Sequence, residues 1–326
     1  MATMSGKKTM RDALIARVHE AMATDERIFF LSADMGAPVL DHIRADFKDR
    51  FINVGIAEQN LVNVAAGLAH EGWTVYALAI APFYLRAYEQ IRINLSLAQH
   101  LRPMNVTMLG VGVGVSYDVS GPTHHCLEDI SAMRVLPRLT VCSPADWVTS
   151  HAFYETTRDV ASPKYLRCDS KPNEAIYTDT DMLDFTKGFH ELIQGERVCL
   201  VTTGYMTQKA LRTLDGLKDP SIGLVDLYML TEGLNEAALF ETLSRYDRII
   251  TLEEAFTNRG GIDSLVSNLL HNNHSTIPME RFGFDNQYHF KFGTRDYLHD
   301  LAGFGDKPLV DALSRNMADV AAARAM

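Results

Sequence analysis

The chain has 326 residues, 47% of them hydrophobic and 22% charged, a globular composition with room for two domains that each bury a core. A net charge of −10 argues against extended contact with nucleic acid or an anionic membrane, since both select basic surfaces. No apolar run reaches the ~18 residues of a membrane span, and Arg11 and Asp12 interrupt the start MATMSGKKTMRDAL before any signal-type apolar stretch, so a soluble, cytoplasmic protein is expected.

Short β-rich apolar runs over 28–31, 74–81, 105–111 and 139–142 read as strands, with amphipathic stretches between them. Such alternation predicts a parallel sheet with helices on both faces. The segment 169–184 is polar and weakly periodic, after which strand-like runs return at 197–202, 222–228 and 248–251. The expected fold class is therefore α/β, with two doubly wound α/β domains divided as 1–184 and 185–326. The alanine-rich tail over 316–326 reads as the end of a last helix. Four cysteines, Cys126, Cys142, Cys168 and Cys199, form no CxxC pair and read as buried thiols; no metal site is expected in this chain.

The most informative stretch is Asn53-Val54-Gly55-Ile56-Ala57-Glu58-Gln59-Asn60, running into a helix predicted over 61–70. Its apolar stripe is Leu61, Val64, Ala65 and Leu68, and one turn back that stripe meets Glu58. An acid there points inward, although an acid in a first helical turn also serves as an ordinary partner of the helix dipole. Other candidates stand alone less clearly. Phe83 fits a core position, His124 after Gly121-Pro122 fits a surface loop, and Arg86 and Arg167 fit either anion recognition or salt bridges.

Together these segments resemble the transketolase family, including deoxyxylulose phosphate synthases. GIAEQNLVNVAAGLA is similar to the segment holding the cofactor-activating glutamate. APFYLRAYEQ at 81–90 resembles the segment whose aromatic residue packs on the thiamine pyrimidine, and Gly121-Pro122-Thr123-His124 resembles the catalytic-histidine loop. Ser143-Pro144-Ala145-Asp146 and, later, Thr251-Leu252-Glu253-Glu254 before Gly260-Gly261 follow in the family's order over nearly the whole chain.

The resemblance implies a pyrimidine-binding domain followed by a transketolase C-terminal domain, with thiamine diphosphate as cofactor. Glu58 would hydrogen-bond the pyrimidine nitrogen opposite the amino group and so activate it, and desolvation suits that acid. Phe83 would stack on the pyrimidine, with Asp34, Met35 and Ile56 as further cofactor contacts. His124 would act on substrate oxygens, with Arg86, Ser120, His125 and Arg167 as substrate contacts.

Transketolases bind magnesium and the diphosphate through a Gly-Asp-Gly motif, and this chain has none. Mg2+ and the diphosphate are thus expected on a partner subunit carrying that motif, in an α2β2 heterotetramer. Three departures stand out: Ser120 where the family usually has an aspartate, Gly112 near a usual basic residue, and Pro38 in place of a small hydroxyl residue. They point away from an ordinary sugar phosphate and toward a modified sugar. The expected function is ketol transfer to an aldehyde or sugar acceptor, or decarboxylative transfer of an acyl unit. Two alternatives remain: the beta subunit of a 2-oxo acid dehydrogenase first component, against which GPTHH and IAEQN argue, and a noncatalytic subunit that keeps the fold.

Overall fold

A computed structural model describes residues 4–325. In chain order the first half contains β1 (Lys7–Lys8), α1 (Met10–Met22), β2 (Ile28–Ser32), α2 (Pro38–Asp46), β3 (Phe51–Asn53), α3 (Glu58–His70) and β4 (Thr74–Ile80). A helical run over 81–100 follows, opening with α4 (Ala81–Tyr84) and α5 (Tyr88–Gln90) and wound as a π-helix over Ile91–Leu97. Then come β5 (Val106–Val111), α6 (Asp129–Arg134), β6 (Thr140–Cys142), α7 (Trp147–Thr157) and β7 (Pro163–Cys168). Strands β2 to β7 form one six-stranded sheet in the order β3-β2-β4-β5-β7-β6, every neighbour parallel.

Strand periodicity divides this sheet's core into two faces. Val75, Ala77 and Ala79 of β4 pack with α3 and the 81–100 run, while Tyr76 and Leu78 pack with α1, α2 and α7. Parallel strands buried on both faces need helical cover on both, as the alternation predicts.

The first half closes with β8 (Asn173–Glu174), which pairs with β1, and the second half runs through β9 (Phe189–Ile193), β10 (Val198–Thr202), α8 (Tyr205–Leu217), β11 (Ile222–Leu227), α9 (Glu236–Leu243) and β12 (Arg248–Phe256). It ends with α10 (Ile262–Asn272), β13 (Met279–Phe284), α11 (Arg295–Leu301) and α12 (Asp306–Ala325). Its five strands run β13-β12-β10-β11-β9, parallel except for the antiparallel edge strand β9. Val198 and Leu200 of β10 face α8 and α12, whereas Cys199 and Val201 face α9 and α10. That second face shares one continuous apolar cluster with the first sheet's α3 face, so the halves bury a joint core.

All four cysteines are buried free thiols. Among the described residues no helix is long and apolar enough to cross a membrane. The tail predicted over 316–326 is the end of α12, with position 326 outside the described residues, as are positions 1–3 of the start.

Strand β7 was not expected, because Pro-Lys-Tyr-Leu-Arg-Cys reads as polar, yet all six of its residues are buried. Both cations are satisfied internally. Lys164 Nζ donates to Asn105 Oδ1 and to the carbonyls of Val160 and Ser162, and burial pushes its pKa down to about 7. The edge strands β3, β9 and β13 were missed as well, being only partly buried and so weakly patterned.

The halves are stitched by backbone as well as by packing: Ser143 N–H donates to Tyr228 O at 2.8 Å, and Leu230 N–H to Val141 O at 2.9 Å. Arg134 of α6 reaches across, with Nε donating to Leu230 O at 3.0 Å and Nη1 to the carbonyls of Gly260 and Gly261 at 2.6 and 2.9 Å. Removing that guanidinium strands three carbonyls at the junction. Arg134→Ala is therefore expected to lower unfolding stability by about 2–4 kcal/mol in chemical denaturation, whereas a change below ~0.5 kcal/mol would show the stitch to be idle.

Candidate active site

In a parallel sheet the loops that leave the carboxyl ends of the strands gather at one edge, the usual place for ligands in open α/β folds. Here that edge receives Asp34 and Met35 after β2, Ile56 and Glu58 after β3, Phe83 and Arg86 after β4, and the loop over 112–125 after β5. Of the predicted residues, the geometry links Glu58, Arg86, Phe83 and His124 directly.

Glu58 is the first residue of α3 and is 2% exposed, inward as its stripe predicts. The buried face of the helix comprises Leu61, Val62, Ala65, Ala66 and Ala69, so the core stripe is turned slightly from the predicted one. Arg86 Nη1 donates to Glu58 Oε2 at 3.0 Å, and the same guanidinium lies 5.5 Å from the centroid of the Phe83 ring. Arg86, expected on the substrate, thus has one nitrogen on the glutamate, while its side chain stays 53% exposed at the cleft.

The Phe83 ring meets the His124 imidazole edge-on at 5.5 Å, and the Tyr117 ring lies 6.5 Å from the same imidazole. Thr123 Oγ1 lies 3.0 Å from His124 Nδ1, so Nε2 is the nitrogen left for a ligand. Tyr117 explains one sequence departure. Gly112 has φ +90, and a Cβ there would fall 2.1 Å from the Tyr117 ring, so neither backbone nor space admits a basic residue. Pro38 has a local reason too, as the first residue of α2, where its missing N–H costs nothing. Ser120 lies exposed in a short turn of the same loop.

Asp34 adopts a left-handed conformation, φ 53, tolerated by aspartate, and is held by Asn53: its N–H donates to Asn53 Oδ1 at 3.0 Å and its Oδ1 accepts from Asn53 Nδ2 at 3.1 Å. Asn53 Oδ1 also accepts from Gly55 N–H at 3.0 Å, which ties the loops after β2 and β3 together. Met35 turns its side chain into the core on the α1 and α2 face, leaving only backbone toward the edge. Ile56, 73% exposed, is free to meet a ligand or a partner surface.

Two expected substrate contacts, Arg167 and His125, have internal partners. Arg167 is 4% exposed, with Nε and Nη2 on Asp129 at 2.8 and 3.1 Å and Nη1 on Ser143 Oγ at 2.8 Å. The two-point carboxylate grip is real, but the carboxylate is internal and anchors α6. His125 is 8% exposed and turns under the loop, where Nε2 lies 3.3 Å from Asp118 O and burial lowers its pKa. It acts as a strut. Asn53, Thr123 and Tyr117 were missed; the only signal for the first two was their place inside the quoted motifs, and Tyr117 carried none.

The transketolase pyrimidine binding domain matches residues 6–170, and the transketolase C-terminal domain matches residues 190–306. The chain is 30% identical over 307 residues to the 6-deoxy-6-sulfo-D-fructose transketolase subunit SqwH of Clostridium sp. (strain MSTE9), covering 93% of this chain and 92% of that one. It is 28% identical over 285 residues to an apulose-4-phosphate transketolase subunit of Phocaeicola vulgatus, covering 86% and 88%. Among solved structures, a split gene transketolase described as an inactive beta4 tetramer superposes with a TM-score of 0.82 and 27% identity, covering 95% of this chain and 98% of that one. The chain belongs to the transketolase family, whose pyrimidine-binding and C-terminal domains it carries in that order.

Proposed function

We propose that this chain is the pyrimidine-binding subunit of a split, thiamine diphosphate-dependent transketolase, with domains 1–184 and 185–326. The observation that carries the reading is the array Glu58–Arg86–Phe83–His124 at the carboxyl edge of the parallel sheet. A buried carboxylate beside a partly exposed aromatic ring fits a flat heterocycle with a ring nitrogen, as the thiamine pyrimidine is. Thiamine diphosphate held there would supply the carbon nucleophile that transfer of a two-carbon ketol unit to an aldehyde or sugar acceptor needs.

The chain's own residues have definite tasks in this scheme. Glu58 holds a proton between its carboxyl group and the ring nitrogen, and Arg86 fixes the rotamer of that carboxyl through Oε2. Phe83 covers one face of the ring and keeps water from Glu58. His124, steadied by Phe83, Tyr117 and Thr123, offers Nε2 to substrate oxygens and their protons. Ile56 and the backbone around Asp34 and Met35 complete the cofactor wall.

The sequence holds no Gly-Asp-Gly triplet, and two relatives are named as transketolase subunits. Both facts support a separate diphosphate- and Mg2+-binding partner, and an α2β2 assembly in the cytoplasm is part of the same proposal. Ser120 supplies no charge where the family usually reads a substrate hydroxyl, which supports a modified sugar as substrate. Relatives named for 6-deoxy-6-sulfo-D-fructose and for apulose 4-phosphate point the same way.

Two measurements test these roles. In enzyme reconstituted with a diphosphate-binding subunit, Glu58→Gln is expected to keep the fold and lower hydrogen exchange at the thiazolium carbon by about 10²-fold or more; exchange at the wild-type rate contradicts the assignment. Calorimetry of the chain alone is expected to show no tight binding of thiamine diphosphate with Mg2+, and submicromolar affinity without a partner would overturn the split-enzyme reading.

A further inference from the structure

The loop over 112–125, which carries His124, has little regular structure of its own. Its two ends close on each other through Gly114 and Cys126, with N–H to carbonyl distances of 3.0 and 2.8 Å. Between those ends its position depends on contacts from outside, and several come from the second half of the chain. Glu254 at the end of β12 accepts from Val115 N–H at 3.4 Å, and Gly114, with φ +58, leaves room for its carboxylate, since a Cβ there would lie 2.0 Å from Glu254 Oε2. Asp118 accepts from the Arg295 backbone N–H at 3.0 Å and pairs with Lys171. The Phe292 ring lies against Gly121.

Arg295 ties these contacts together. Its Nε and Nη2 grip the two oxygens of Glu254, its Nη1 reaches Asp169 beyond β7, and its guanidinium lies 3.5 Å from the Tyr205 ring centroid. His299 Nε2 meets Glu254 Oε1 at 2.6 Å from the turn after Arg295. Arg295, Glu254, Asp169, Asp118 and His299 are all buried, so the network is screened little by solvent. The pair Glu254–Arg295 therefore holds the loop at the Val115 backbone N–H, and the Arg295 backbone N–H holds it at the Asp118 side chain.

We propose that the C-terminal domain sets the position of the His124 loop through this clamp, with Arg295 as a positioning residue for the active site. Arg134 provides the contrast. It joins the same two halves, yet its partners are Leu230, Gly260 and Gly261, none of them in the loop. A residue that only glues the domains together behaves like Arg134, whereas a clamp acts on the loop selectively.

The test is hydrogen exchange by mass spectrometry on the full chain, comparing peptides over 112–125 with those from β4 and β5. Arg295→Met is expected to raise exchange in the loop about tenfold while the strands stay protected, and Arg134→Met is expected to raise exchange without favouring the loop. Arg295→Lys keeps the charge but loses the two-nitrogen grip, so it should restore part of the protection; it carries the same test if the methionine variant does not fold. Loop exchange that is unchanged, or that rises only together with the strands, overturns the clamp.

The consequence for turnover rests on the role given to His124 above. In the reconstituted enzyme Arg295→Met is expected to lower kcat by about 10²-fold with KM changed less, and Arg295→Lys to recover part of it. A loosened loop with full kcat would leave the clamp standing and contradict the role of His124 instead.

Discussion

A carboxylate withdrawn from water to 2% exposure is tolerated only where a charge or hydrogen-bond donor answers it, and the site is organised around that constraint. The donor for Glu58 is Arg86, which comes from the helical run after β4 while Glu58 comes from the turn after β3. Joining them requires α3 and the 81–100 run to pack on the same face of the sheet, which their shared apolar cluster shows. The guanidinium that meets the glutamate also lies over Phe83, and Phe83 in turn abuts His124. Three strand ends thereby deliver one connected array.

The elements legible in the sequence were those whose pattern is set by burial alone. Apolar runs such as Val106–Val111 and Val198–Thr202 could be read directly, as could the inward direction of Glu58, because a helical stripe extrapolates over one turn. What could not be read was a polar residue satisfied by a distant partner. Arg167 meets Asp129 across 38 positions, and nothing local distinguishes such an internal arginine from one that awaits a substrate. Lys164 hid strand β7 for the same reason. Gly112 looked like the loss of a ligand, whereas its backbone and the Tyr117 ring leave no room for any side chain.

Strongly shifted acids also mark structural positions in this protein. Burial pushes Asp226 up to about 7, with Tyr177 and Thr207 hydroxyls on its two oxygens at 2.7 and 2.8 Å, inside the second sheet. Glu253 is pushed up to about 7 by burial and by the neighbouring Asp263, while it accepts from the first amides of α10 at 2.8 and 2.9 Å. For Glu254 burial works upward as well, but Arg295 and His299 hold it well below the usual carboxylate range. Adjacent glutamates on one strand thus have opposite shifts, because β alternation turns one toward a helix terminus and the other toward a guanidinium. Neither belongs to the Glu58 array.

The proposal that Glu58 and Phe83 form the pyrimidine half of a site completed by another subunit is tested most directly by a crystal structure of this chain assembled with a diphosphate-binding partner and thiamine diphosphate. A pyrimidine ring nitrogen is expected within about 2.6–3.2 Å of a Glu58 carboxyl oxygen, with the ring resting on Phe83 and the diphosphate and Mg2+ held by the partner. A cofactor bound away from Glu58, or a diphosphate held by this chain alone, would contradict it.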